Sequence, residues 1–336
     1  LSNEGTAFLR AIRESPDDPL IRLVYADWLE EQGDPRGIWL RLEERQRSLP
    51  IWDEECVRLH REQLSLQYRP PADWLREIDR HLPRTLLGDG WPEDTLARWR
   101  VIERLAEWKF RGQITTIDVD EDVVRTMEAS LGIRLPLSVQ WNERLQDRIC
   151  RVGEMGNYPL FADRDHTIRW LEAERFLAIH DEMDYLWGVM EADLGLDDPP
   201  VCAFHRDDPR TEWTADPGNP VDLRLTDWSL SDLMFASVAG NRTLDRWIDG
   251  ERNRASFPGS LDGAFPNRLQ LGRVVYYESP GCIVTLTILD EEHERDAFSV
   301  AVHPDVALED TPSIVRGWFA EVSDRPAIAD RRGGSP

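Results

Sequence analysis

Five aspartates, Asp193, Asp197, Asp198, Asp207 and Asp208, lie within sixteen residues of one another, with His205 among them. Carboxylates beside an imidazole are the groups that ligate a divalent cation or exchange protons with a substrate. Their spacing does not follow the D-x-D-x-D-G order of a calcium loop, so two further readings stand beside the metal-dependent hydrolase: a solvated loop, or an acidic rim that receives a partner. Glu212 and Trp213 extend the run. A tryptophan flanked by Glu212, Thr214 and Asp216 in a loop is suited to anchor an interface. His180 followed by Asp181-Glu182 offers an acid–base pair, although a histidine at a strand end before a turn more often has a structural role. The chain contains no HExxH, GxSxG or P-loop pattern. The expectation is a protein without catalytic residues, metal or cofactor.

Charge narrows the partner. The chain has 336 residues and a formal net charge of -24. Residues 1–90 hold 18 acids against 13 bases, and the remaining 246 residues hold 46 against 27. A surface this acidic repels phosphate backbones, which argues against direct nucleic-acid binding, and it steers basic proteins inward. Of forty basic residues only Lys109 is lysine, a coding bias rather than a functional signal. Cys56, Cys150, Cys202 and Cys282 form no CxxC or disulfide-framework spacing, as expected of free thiols in a reducing compartment. Glu4 and Arg10 interrupt the apolar core a signal peptide would need, and no run approaches the roughly 20 apolar residues of a membrane helix. The cytoplasm is the expected location.

The elements that must position these residues change character along the chain. Residues 1–83 read as helices. Phe8, Ala11 and Ile12 share one face of the first. Asp18 caps a second with Pro19 at its first position, and Gly33 closes it before Asp34-Pro35. A third passes through Ile38, Trp39 and Leu42, and others are expected around 53–67 and 73–82. Residues 84–94, with two glycines and a proline, suit a linker. A helix over 94–110 carries Leu96, Trp99, Ile102 and Leu105. Ile114–Val119 suits a short strand, and Asp120 would cap a helix through Val123, Met127 and Leu131. The chain turns at Gly132 and Leu135-Pro136 before a helix restarts near Ser138.

Beyond 150 the pattern favours sheet. Strands are expected at 175–180, 185–192 and 201–204, with Trp187 in the core and Pro199-Pro200 at a strand entry. Ser229 and Asp232 form a capping box for a helix reaching about Trp247, with Trp228 just before it. Residues 250–270 read as loop. Strands follow at 272–278, 281–289 and 296–302, with a last helix near 312–320. The fold class is therefore α+β: a helical N-terminal module, then a mostly antiparallel sheet flanked by helices.

Two resemblances sharpen this. Ala7–Leu42, AFLRAIRESPDDPLIRLVYADWLEEQGDPRGIWLRL, resembles the short "repeat-companion" domain of bacterial paralogue sets, with Ile38-Trp39 where that family usually has Glu-Phe. The likeness implies no activity. Further on, Glu128–Ser138 (EASLGIRLPLS), Tyr185–Val189 (YLWGV) and Asp197–Val201 (DDPPV), followed by Trp213 and the Trp228–Asp232 helix start, are similar to the SUKH superfamily of bacterial immunity proteins and their relatives. The positions that carry the likeness are Leu131, Gly132, Leu135, Pro136, Trp187, Pro199, Pro200 and Val201. The sequence departs from the family pattern at Trp141 and Gln146-Asp147-Arg148, and it continues for some ninety residues beyond.

The expected domains are 1–83, 95–249 and 250–330 around the 84–94 linker, the last either part of the same sheet or a small separate lobe. The resemblance implies a protein that binds and neutralises a basic toxin of the nuclease or deaminase type. On that reading Asp193, Asp197, Asp198, Asp207, Asp208, Glu212 and Trp213 form the partner surface. An intracellular scaffold for a resident protein is the alternative.

Overall fold

Asp–Pro pairs start two of the N-terminal helices, at Asp18 as expected and also at Asp34, in the structure of this chain, a computed structural model. It describes residues 3–109, 121–151, 169–171, 175–182, 185–205, 223–240, 247–253, 261–271, 274–287, 295–303 and 305–323. The chain divides into two compact units, Leu1–Thr243 and Leu244–Pro336. It is an α+β protein with its helices concentrated in the N-terminal half.

The first unit opens with α1 (Asn3–Glu14), α2 (Pro19–Glu31), α3 (Pro35–Arg47), α4 (Glu54–Ser65) and α5 (Ala72–Glu77). Asp18 accepts the Leu20 amide at 2.9 Å, Asp34 the Arg36 amide at 3.0 Å and Asp53 the Glu55 amide at 2.8 Å, satisfying donors that a helix start leaves without partners. Gly33, at φ 70°, ends α2, and the Gly33 and Asp34 amides return to the Glu30 and Leu29 carbonyls. The next helix then folds straight back. Leu9, Ile12, Tyr25, Ala26, Leu29, Leu40, Trp74 and Ile78 form the core beneath it, with the Phe8, Tyr25 and Trp28 rings packed together.

The helix expected over 73–82 stops early. Buried Arg22 takes the Ile78 carbonyl through Nε at 3.0 Å, Asp79 turns to φ 55°, and the Arg80 amide returns to the Leu75 carbonyl. A tertiary partner thus ends the helix where local propensity does not. Residues 84–94, expected as a linker, are packed: Leu86 and Leu87 are buried, and Arg84 donates to the Gln46 and Leu49 carbonyls and to Asp89.

The unit continues with α6 (Thr95–Lys109), α7 (Glu121–Leu131) and α8 (Leu137–Arg151). A five-stranded antiparallel sheet follows, ordered β1 (Arg169–Leu171), β2 (Phe176–Glu182), β3 (Tyr185–Met190), β4 (Pro200–His205) and β5 (Leu223–Ser229). Leu177 faces Val189 in the ladder and Trp187 faces Ala203, with an irregularity between Ala178 and His180. Strands β1 and β5 were not expected from sequence. The unit's last helix, α9 (Leu230–Gly240), is shorter than expected.

The expected continuation to Trp247 is corrected in the second unit, where β6 (Trp247–Asn253) pairs with β10 (Arg295–Val302) over seven residue pairs. A long-range ladder decides the state of a segment that sequence alone assigns to a helix end and a loop. Between them lie β7 (Asn267–Leu271), also expected as loop, β8 (Val274–Ser279) and β9 (Cys282–Thr287), in the order β6-β10-β9-β8-β7. Pro280-Gly281 joins β8 to β9, with Gly281 at φ 75° as a tight turn requires. Helix α10 (Ser313–Ser323) packs Trp318 on Phe298 with ring centroids 5.2 Å apart. The expected strand at 114–119 and the Asp120 cap lie outside the described residues. Among the described residues, no helix is long and apolar enough to cross a membrane.

Gly37 marks the closest helix crossing. A Cβ there would sit 2.6 Å from the Ala26 carbonyl oxygen and 2.8 Å from the Glu30 amide nitrogen. These are backbone atoms that cannot step aside. Gly37→Ala is expected to destabilise the first unit by about 1–3 kcal/mol despite alanine's better helix propensity, as measured by denaturant unfolding.

Candidate functional site

Two of the three stretches that carry the SUKH likeness come together away from the surface. Ser138, Asp198 and Ser231 meet in the interior of the first unit. Asp198 is the hub, its side chain 9% exposed. Its carboxylate accepts the Ser138 hydroxyl at 2.5 Å, the Ser231 hydroxyl at 2.5 Å, the Ser231 amide at 3.0 Å and Arg98 Nη1 at 3.2 Å. Those donors come from α8, α9 and α6.

A second layer holds the first. Trp99 Nε1 donates to the Ser138 hydroxyl oxygen at 2.8 Å, and Arg98 Nε donates to the Pro92 carbonyl. Ser229 and Asp232 form the expected capping box reciprocally: the Ser229 amide reaches Asp232 at 3.2 Å, and the Asp232 amide reaches the Ser229 hydroxyl at 3.3 Å. Trp91 Nε1 donates to Asp232 at 3.1 Å while its ring packs against Phe235. Burial pushes the Asp232 carboxyl above its ordinary range, against the lowering effect of the Ser229 amide and Arg98.

Asp198 is therefore not on an acidic rim. Four donors and three helices hold it inside, and a carboxylate in that position serves structure. The rim that remains among the described residues is Asp193 and exposed Asp197, in the loop between β3 and β4. Asp207, Asp208, Glu212 and Trp213 lie outside the described residues.

The loop is fastened at both ends. The Glu191 amide donates to the Arg175 carbonyl at 2.8 Å and the two side chains form an ion pair. The Ser138 amide donates to the Asp197 carbonyl at 2.9 Å, and the Leu230 amide to that of Pro199 at 3.0 Å. Between these ties stands Leu196, 51% exposed. An isolated exposed leucine is ordinary, but this one is held on an ordered loop between two carboxylates.

The other motif positions are structural. Gly132 takes φ 69° at the end of α7, Leu135 and Pro136 are buried, and the Pro136 carbonyl accepts the Gln140 amide. Leu131 is half-buried, as is Trp187, and Gly188 beside Trp187 lets β2 approach: a Cβ there would meet the Leu177 carbonyl. Pro199 and Val201 are buried, whereas Pro200 is exposed at the start of β4. His205 ends that strand, five residues beyond Pro200 and roughly 16 Å along it. Asp197 and Asp198 precede that strand. Among the described residues, no group of three or more His, Cys, Asp or Glu side chains is placed to hold a metal.

Sequence reasoning missed Arg98 and Lys109. The sole lysine is only 1% exposed at the end of α6, and its Nζ donates to the Ala239 carbonyl at the end of α9. A cation at a helix C-terminus is favourable, but burial dominates and lowers its pKa from the ordinary 10.5 to about 7. The scarcity of lysine was the available signal. None of the family models, curated proteins or solved structures compared with the chain matches it.

Asp198→Ala leaves the Ser138 and Ser231 hydroxyls and the Ser231 amide without their acceptor and removes the ion pair to Arg98, which keeps the Pro92 carbonyl. It is expected to cost about 3–5 kcal/mol in denaturant unfolding. Asp198→Asn should recover only part of this, since its amide cannot accept all four donors. Lys109 gives a separate pH signature. Its folded pKa is depressed, so between about pH 7 and 10.5 the unfolded chain binds the extra proton. Stability from this group is complete above 10.5 and is lost as pH falls towards 7. Thermal melts should therefore rise from neutral to alkaline pH in the wild type more than in Lys109→Met.

Proposed function

We propose that this chain is a non-catalytic binding protein whose β3–β4 loop receives a basic protein partner. In the sharpest form it is a SUKH-type immunity protein of the cytoplasm that occludes a nuclease or deaminase toxin. The observation that carries the reading is Leu196, exposed between Asp193 and Asp197 on a loop held from behind by Asp198. An apolar anchor on a pre-ordered loop loses little entropy on docking, and its acidic flanks select and steer a basic surface. The net charge of -24 supplies the long-range part of that attraction.

A scaffold for a resident protein is the second reading, favoured by Leu20 and Val24. Both are exposed, one turn apart on α2, and belong to the N-terminal helices that a compact inhibitor would not need.

Affinity capture from the source cell should use the full chain and two variants, Asp193→Asn/Leu196→Ser/Asp197→Asn and Leu20→Ser/Val24→Ser. The immunity reading expects a basic protein captured by the wild type and lost only with the first variant. That protein should arrest growth when expressed alone, and growth should be restored by co-expression of the wild type but not of the first variant. Its association should slow on the order of tenfold between low and moderate salt. Capture lost only with the α2 variant supports the scaffold, and capture indifferent to the loop variant contradicts the proposal.

A further inference from the structure

Helices α1–α5 meet α6 across a polar seam. Arg100 Nη1 donates to the Trp52 carbonyl at 2.7 Å. About two turns further along α6, Glu107 Oε2 lies 2.8 Å from His60 Nε2 of α4, with both side chains largely buried. Arg104 reaches the same carboxylate oxygen at 3.4 Å. From α3, Glu43 also faces the histidine, but its carboxylate is already engaged by Arg47 at 2.7 Å and by Gln63 at 3.3 Å. On α4 itself Cys56, one turn earlier, directs its thiol to the Gln46 carbonyl at 3.7 Å.

The second ring nitrogen decides what the seam tolerates. His60 Nδ1 is buried and has no hydrogen-bond partner. With the proton on Nε2 donated to Glu107, the imidazole is neutral and Nδ1 is a bare lone pair. Adding a proton creates a buried N–H with no acceptor and a second cation beside Arg104. Glu107 attracts that cation, but it is shared with Arg104 already.

We propose that His60 is an acid-sensitive latch between the N-terminal helices and α6: neutral, it joins α4 to α6 through Glu107, and protonated, it loosens the seam while the rest of the first unit stays folded. Burial, then Arg104, hold the His60 pKa below the ordinary 6.5 against the raising effect of Glu107 and Glu43. The sign follows from linkage. A base whose pKa is depressed in the closed state contributes fully above 6.5, and its contribution is lost as pH falls through the closed-state value. Glu107 and Glu43 both have pKa values below the usual 4.5, so their own losses come at more acidic pH and leave the mildly acidic window to His60.

Hydrogen exchange on the full chain, corrected for the intrinsic pH dependence of exchange, tests this at about pH 7.5 and about pH 5.5. Peptides spanning α4 and α6 should open roughly fivefold more at the lower pH, with α9 unchanged. His60→Gln keeps a donor for Glu107 but takes up no proton, and should remove the difference. Equal protection at both pH values in the wild type, or the same loss in His60→Gln, overturns the latch. Where that variant fails to fold, histidine NMR titration of the wild type decides: a His60 midpoint below 6.5 supports the proposal, and one at or above 6.5 overturns it.

Discussion

A buried carboxylate is a liability unless every lone pair finds a donor, and Asp198 is the place where this chain meets that demand. Its four donors arise from Arg98, Ser138 and Ser231, on helices separated by long stretches of sequence. The electrostatic cost of an unpaired charge in the interior is several kcal/mol, which favours the complete arrangement over any partial one. The helices α6, α8 and α9 must arrive together. The start of β4 is fixed with them, because Asp198 precedes it by two residues and the Pro199 carbonyl receives the first amide of α9. Apolar packing around Trp99, Ile102, Val139 and Phe235 supplies the bulk of the burial. The carboxylate supplies direction, which apolar contact lacks.

The same constraint shapes the surface. Holding Asp198 inward pins the C-terminal end of the acidic loop, Glu191 and Arg175 tie the other, and Asp193, Leu196 and Asp197 are left on a short span between. Adjacent residues Asp197 and Asp198 thus do opposite work: one faces solvent and the other organises the interior. A rigid acidic loop with one apolar anchor is suited to recognition, in which pre-ordering reduces the entropy lost on docking.

Local signals in the sequence were legible because local physics decides them. Asp18-Pro19, Asp34-Pro35, Gly33 and Gly132 set helix ends through caps and positive φ, and the Ser229/Asp232 box appears with both of its bonds. Three of the five strands in each sheet were expected within a few residues. Strands β1, β5, β6 and β7 were not: β6 is set by a ladder to β10 far along the chain, while β7 is set by its hairpin with β8 in a stretch whose Gly, Pro and Asn residues read as loop. The helix expected over 73–82 is present but ends at Glu77, where Arg22, 56 residues from Ile78, takes the carbonyl.

For the site, spacing assigned Asp197 and Asp198 the same role, and only the fold separates them. Ser138 was visible as a helix start and Ser231 as part of a cap, but their shared acceptor was not. Their meeting gives a physical reason for Glu128–Ser138 to occur in one chain with Asp197–Val201 and Trp228–Asp232.

The most direct test of this account is native-state hydrogen exchange at single amides. Helix-start amides commonly lack partners, yet those of Ser138, Leu230 and Ser231 are bonded to the Asp197 carbonyl, the Pro199 carbonyl and the Asp198 carboxylate. They should exchange only with global unfolding of the first unit, as slowly as Leu177 and Val189 in the central strands. Exchange at the rate of an open loop such as that around Gly195 would contradict the claim that Asp198 holds the fold together.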